Sequence, residues 1–258
     1  MTSGKRKNPQ QGTRTGAQPR STTRPKGGLM AARAARQRQQ RLMAIIGGSV
    51  AIAIVAVIAL VLINQDDGGS DLPPIVTIAG PDASIPRDGM TLGSADAPIK
   101  LVEYGDYQCP ACAIFADDAM DPLVADYIAT GQVQFTFVPF SFLGEESNRA
   151  AEAAACAADQ GKFWEMHENI YYNHEGENEG AYSDARLREI AGNVGMDLDA
   201  YDTCLREGTH EDSVTQFNQQ ATDAGITSTP TFKINGGDPF GYAGWDDFRA
   251  RLDGALAA

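Results

Sequence analysis

Cys109 and Cys112, in the run Glu103-Tyr-Gly-Asp-Tyr-Gln-Cys109-Pro110-Ala111-Cys112, are the residues of this 258-residue chain whose type and spacing are best suited to chemistry. A thiolate is both the nucleophile of disulfide exchange and a metal ligand, so the pair reads as a reactive disulfide or as half of a metal site. Ile99–Tyr104 before it is an apolar run with one acid, read as a buried strand, and Pro110 suits the first turn of a helix. A cysteine at such a helix start faces unpaired N–H groups and the positive end of the helix dipole, which favour its thiolate. Cys109 is then the sulfur that attacks, or is attacked by, a partner. Cys112, about one turn further in, resolves the mixed disulfide. A zinc site would want a second close pair or nearby histidines. Cys156 and Cys204 lie far apart in sequence, and His167, His174 and His210 show no ligand spacing with the motif. The redox reading is therefore preferred to the metal one, and no cofactor is expected.

The compartment decides whether such a disulfide persists. Residues 1–41 carry eleven of the 21 Lys and Arg and no acid; the remaining ten basic residues face all 34 acidic ones, a net of −24. A basic tail can bind nucleic acid. Here it has no aromatic residues and runs directly into Leu42–Ile63, 22 residues without a charge. At 1.5 Å per residue this run is about 33 Å long, enough to cross a hydrocarbon core of about 30 Å. The expectation is an uncleaved single-pass anchor in a bacterial cell membrane, with the basic tail cytoplasmic and touching anionic lipid of the inner leaflet. A cleaved signal peptide is the competing reading. The run is too long for one, and Val61-Leu62-Ile63-Asn64 offers no small-residue cleavage pattern. No nucleic-acid partner is expected. All four cysteines follow the anchor, on the side where disulfides form. Four cysteines allow three connectivities.

The elements that must hold the motif are read from the pattern. The disordered tail (1–41) and the anchor (42–63) are followed by a Pro- and Gly-rich tether (64–89), with a possible short strand at Ile75–Ala79, and one compact domain fills 90–258. A helix from Pro110 should stop near Gly131 and kink at Pro122. Gln132–Val138 alternates as a strand. Ser147–Gln160, Lys162–Tyr172, Ser183–Val194, a short helix opened by Asp197 or Asp199, and Glu211–Ala224 read as helices. Thr231–Ile234 and Phe240–Tyr242 are strands around an Asn235-Gly236-Gly237 turn, and Trp245–Leu256 closes the chain. The fold class is α/β, a thioredoxin-like arrangement with a helical insert at about 141–210, preceded by one transmembrane helix.

With Gly93-Ser-Ala-Asp-Ala-Pro98 before it, the CxxC run resembles the DsbA-like thiol:disulfide oxidoreductases. Ala150-Ala-Glu-Ala-Ala-Ala-Cys156, Gly161-Lys-Phe-Trp-Glu-Met-His167 and Thr229-Pro230-Thr231-Phe232 match that family too. The resemblance spans about residues 90–256, and the Gly161–His167 block is typical of the subgroup with a helical insert. It implies a cis bond at Thr229-Pro230 beside the active disulfide, where the Thr229 backbone can pair with an extended substrate segment. It also implies a proton-handling glutamate at Glu103, six residues before Cys109. On its own an acid in that strand reads either as solvent-facing or as a buried carboxyl that exchanges the Cys112 proton.

The second pair, Cys156 and Cys204, is expected to form a structural disulfide; the alternative is a second redox pair. Phe115, Phe135, Phe137, Phe163, Trp164 and Trp245 are read as core, the three histidines as surface residues, and His174–Gly180 as a solvated acidic loop rather than a calcium site. The activity implied is exchange of the Cys109–Cys112 disulfide with cysteines of secreted or membrane proteins. A membrane quinone-linked partner, DsbB- or VKOR-like, would recharge it as an oxidase. A reductant would drive it as a reductase or isomerase. A non-catalytic tethered chaperone-like module is the alternative outside enzymology.

Overall fold

The structure, a computed structural model, describes Met43, Ile54, Val55 and residues 72–258. The tail 1–41 and all but three positions of the anchor segment 42–63 lie outside the described residues, as does the tether up to residue 71. Among the described residues no helix is long and apolar enough to cross a membrane. The chain divides into two units, Met1–Ile63 and Asn64–Ala258, and the site belongs to the second.

The sheet of that unit begins before residue 90. Two short strands, β1 (Arg87–Asp88) and β2 (Thr91–Leu92), form a hairpin that joins β4 (Val133–Pro139) antiparallel. β3 (Ile99–Gly105) runs parallel to β4, and β5 (Thr231–Ile234) and β6 (Phe240–Gly241) continue the sheet antiparallel on its other side. The order is β1-β2-β4-β3-β5-β6, so β3, which leads into the CxxC motif, lies inside the sheet. Both β3 and β4 bury alternate residues completely: Ile99, Leu101, Glu103 and Gly105 in one, Val133, Phe135, Phe137 and Pro139 in the other. Neighbouring parallel strands need a crossover, and α1 (Pro110–Leu123) supplies it.

Pro122 does not end α1, but two residues later the backbone widens into a single π turn, Val124–Ile128, closed by the Ala129 amide on the Val124 carbonyl. Gly131 follows in the left-handed region (φ 77°), which lets the chain reverse into β4. Between β4 and β5 stand α2 (Glu145–Asp159), α3 (Phe163–Tyr172), α4 (Asp184–Asn193), α5 (Leu198–Arg206) and α6 (Glu211–Asp223). α2 is buried through Ala150, Ala151, Ala153, Ala154, Ala155 and Ala157; side chains this small allow close approach of α3, α5 and α6. α7 (Trp245–Leu256) closes the other side of α1, with Phe248 against Phe115 and Phe232 at ring-centre distances of 5.3 and 4.9 Å.

The second half of the stretch read as tether is ordered by side chains from α3. Asn173 exchanges two hydrogen bonds with the Val76 backbone, both 2.8 Å, and Asn169 does the same with Ile78, at 2.9 and 3.0 Å. Residues four apart on a helix rise about 6.0 Å and residues two apart on an extended chain about 6.6 Å. Two asparagines one turn apart therefore read alternate backbone units of a strand-like segment. Residues 75–79, read as a possible short strand, carry no strand and pair with none. A side-chain amide carries donor and acceptor together and can satisfy a peptide group in a strand's place.

Candidate active site

Cys109 is the N-cap of α1, in extended geometry (φ −74°, ψ 118°), with Pro110 as the first helical residue. Its carbonyl accepts the first helical hydrogen bonds, from Cys112 at 3.0 Å and Ala113 at 3.1 Å. Pro110 and Ala111 are exposed, whereas Cys109 is 7% and Cys112 0% exposed, so a partner reaches the motif from the Cys109 side. Both are free thiols in this structure.

The two sulfurs are electrostatically unequal. The Cys109 thiol is lowered from 9.0 to about 6, first by its contact with the Cys112 thiol, against the opposing effect of burial, then by the Thr229 side chain and the N–H groups of Cys112 and Ala111. Cys112 is pushed well above the thiol range, first by burial and then by Cys109 and the Glu103 charge. One sulfur is therefore held as thiolate and the other keeps its proton.

Glu103 sits in β3 opposite Phe232 of β5 and Phe137 of β4, 1% exposed. Its Oε1 has no hydrogen-bond partner among the described residues. Burial raises its carboxyl well above the ordinary range, and the charges of Cys109 and Glu168 push the same way. A solvent-facing reading of Glu103 does not survive this position.

Thr229-Pro230 is cis, and the Cys109 thiol donates to the Thr229 carbonyl at 3.3 Å. The start of β5, 120 residues after the motif, thus stands against the outer sulfur. Thr231 anchors that turn by donating its hydroxyl to the Ser228 carbonyl at 2.6 Å.

The loop before Cys109 is held by residues that sequence reasoning did not single out. The buried Asp106 carboxylate accepts from the amides of Gln108 (2.9 Å), Phe142 (2.9 Å) and Leu143 (3.1 Å), and its carbonyl accepts from Cys109 at 3.0 Å. The buried Gln108 side chain donates to Ser147 at 2.9 Å and accepts from the Asn178 amide, while its carbonyl lies 2.9 Å from His174 Nε2. The 174–180 loop, expected to be merely solvated, is thus one jaw of a clamp on the residue preceding Cys109. An Asp two residues before another polar residue at a strand end is an Asx-turn signal that could have pointed to Asp106. Nothing local marks Gln108.

His167 corrects the expectation of three surface histidines. It is 1% exposed, packed among Phe137, Phe163 and Trp164, with its Nδ1 3.0 Å from the Tyr107 hydroxyl; burial lowers its pKa to about 3, so it is neutral. Of the aromatic residues read as core, Phe115, Phe135, Phe137, Phe163 and Trp164 are buried, and Trp245 is half-buried against Tyr127.

Cys156 of α2 and Cys204 of α5 are joined by a disulfide well away in sequence from the CxxC pair. His210 brings a nitrogen within 4.8 Å of both sulfurs, yet those sulfurs are bonded to each other and His210 pairs with Asp159 at 2.7 Å.

The thioredoxin family model matches residues 86–254. The chain is 29% identical over 150 residues to the probable disulfide bond formation protein D of Bacillus cereus, covering 57% of this chain and 69% of that protein. It is 27% identical over 168 residues to disulfide bond formation protein D of Bacillus subtilis, covering 64% and 76%. Its fold is similar to the crystal structure of oxidised BdbD from Bacillus subtilis, with a TM-score of 0.62 and 24% identity over 72% of this chain and all of that one.

Proposed function

Since the chain belongs to the thioredoxin family, as a DsbA-like thiol:disulfide oxidoreductase, we propose that it works outside the cytoplasm as a disulfide-forming oxidase. The observation that carries the direction is the lowered Cys109 thiol, at about 6, beside a Cys112 that keeps its proton. A dithiol whose reduced form is stabilised gives up electrons reluctantly, and its disulfide is correspondingly a strong oxidant.

In the cycle a substrate thiolate attacks Cys109 Sγ, the more exposed sulfur, and Cys112 is the leaving group. A second substrate thiolate then attacks the substrate sulfur of the mixed disulfide and releases Cys109 as a stable thiolate. Pro110 and Ala111 form the exposed rim, and the Thr229 carbonyl beside the cis Pro230 accepts a backbone amide of the bound segment in the manner of an added strand. Glu103 exchanges the Cys112 proton. The Cys156–Cys204 disulfide staples the helical insert and takes no part in exchange. The uncharged run 42–63 and the basic tail before it support a membrane anchor with the catalytic domain outside. A membrane quinone-linked partner would restore the Cys109–Cys112 disulfide.

The roles are tested with Cys112→Ala in cells. Without Cys112 a mixed disulfide at Cys109 can no longer collapse back to the Cys109–Cys112 disulfide, so such species should persist, seen as adducts on non-reducing gels that vanish on reduction. Absence of such adducts would overturn the assignment.

A further inference from the structure

Three of the buried oxygens that find no hydrogen-bond partner among the described residues are Glu103 Oε1, the Tyr171 hydroxyl and Glu168 Oε1. An unpaired buried polar atom costs about 1–3 kcal/mol, so three in one region ask for a reason other than packing. A Cβ on Gly105 would stand 3.0 Å from both Glu103 Oε1 and the Tyr171 hydroxyl, which puts these two side by side, and Glu168, one turn before Tyr171 on α3, lies close enough for its charge to raise the Glu103 carboxyl. Tyr171 and Glu168, on one face of α3, also line a cavity of about 600 Å³ that opens beside Pro110, with Asp117 and Asp121 of α1 on its other wall. Tyr171 lines this groove while its hydroxyl is buried on the Glu103 side, so the side chain connects the two.

We propose that Glu168 is the outlet for the Cys112 proton, which passes from Cys112 to Glu103 and then, by way of the Tyr171 hydroxyl and Glu168, to solvent in the groove. The proposal rests on the exchange cycle above and adds to it a residue that no motif marks.

When a substrate thiolate attacks Cys109 Sγ, a substrate–Cys109 bond forms, the Cys109–Cys112 bond breaks and Cys112 departs as a thiolate. Burial makes that thiolate a strong base, and it takes the Glu103 proton. Burial penalises a carboxylate on Glu103, so its proton is replaced from the groove through Tyr171 and Glu168 as it leaves, in the same step as Cys112 departure. Release of the oxidised substrate then leaves the enzyme with two more electrons and one more proton, on Cys112. Recharging by an oxidant runs the proton outward along the same residues.

Glu168 is suited to this task by its surroundings. Glu103 and Tyr107 lie within reach of its charge on the interior side and Asp121 on the α1 side, and Asp117, Tyr171, Tyr172 and His174 share the groove with it, His174 being the one basic side chain among the described lining residues. Burial, and then the Asp121 charge, raises its carboxyl to about 8, so it both binds and releases a proton near neutral pH. His167, one residue earlier, is neutral and turned to Tyr107, and supplies no competing charge.

The test is the single-turnover rate at which the oxidised full chain oxidises a dithiol peptide, followed from pH 5.5 to 8.5. E168Q keeps the shape and removes the transferable proton; it should slow Cys112 departure at least about tenfold, within the range of general acid–base effects, and flatten the pH profile near 8. The Cys109 titration should not move, E168D should restore part of the rate, and E189Q, exposed on α4 and outside the groove, should match the wild type. E168Q with a wild-type rate and profile overturns the outlet while leaving the exchange cycle standing. A wild-type chain that oxidises no peptide overturns both. A measurement on the wild type alone decides as well: a plot of rate against deuterium fraction that bows is expected for several protons in motion, and a straight line contradicts the relay.

Discussion

Cys109 Sγ stands 3.3 Å from the carbonyl of Thr229, 120 residues later in the chain, and donates to it when protonated. This contact joins the helix that activates the sulfur to the strand turn that would receive a substrate. It arises because β3, which ends at the motif, pairs directly with β5, which begins just after Pro230, Tyr104 standing opposite Thr231.

The Cys109 thiolate is the first measurable consequence. With a folded pKa of about 6 against an ordinary 9.0, about nine-tenths of the reduced protein carries the thiolate at pH 7. A depressed pKa stabilises the folded reduced form fully above pH 9; that stabilisation fades as pH falls and is gone below about 6. Absorbance at 240 nm should titrate near pH 6. Thr229→Val removes a side chain that lowers the thiol and should move this midpoint upward.

Glu103→Gln separates stability from rate. The wild-type carboxyl is buried without a partner for Oε1, and its raised pKa opposes folding above the ordinary carboxylate range. Removing it should stabilise the reduced protein at pH 7 by about 1–3 kcal/mol in urea unfolding. The same variant should slow peptide oxidation. Loss of stability at pH 7 would mean that the carboxyl is held by interactions this structure does not contain.

Opening the Cys156–Cys204 disulfide should act on the fold alone. The 48-residue separation implies a contribution on the order of 4 kcal/mol from chain entropy. The double Ala variant should melt lower yet oxidise peptide at the wild-type rate when assayed below its melting temperature. Loss of exchange in the folded variant would instead mark the pair as a redox relay.

Much of the site was legible because its signals are local. A strand, a CxxC at a helix start and a Thr-Pro before a later strand are short patterns of residue type, and the pairing of β3 with β5 brings together Glu103 on β3, Cys109 at the helix start that follows it and Pro230 just before β5. What escaped depends on contacts distant in sequence. Asn169 and Asn173 meet Ile78 and Val76 across more than 90 residues, and Gln108 meets Asn178 across 70. An asparagine on a helix carries no mark of the backbone it will satisfy. His167 looked like a surface histidine because its polarity is visible in sequence, while the aromatic shell around it is assembled only by folding.

The asparagine pairing is testable in the same way. Asn169→Ala with Asn173→Ala leaves the backbone polar groups of Val76 and Ile78 without those partners. Amide exchange at Val76 and Ile78 should accelerate at least about tenfold, the equivalent of losing a little over 1 kcal/mol of local stability. Exchange in β3 should stay unchanged.

The reduction potential of the Cys109–Cys112 pair tests the central claim most directly. Equilibrated with a glutathione couple, the protein should prove more oxidising than about −200 mV, because the lowered Cys109 thiol stabilises the reduced form. A potential near the roughly −270 mV of thioredoxin would contradict the oxidase and make the chain a reductase of the same fold.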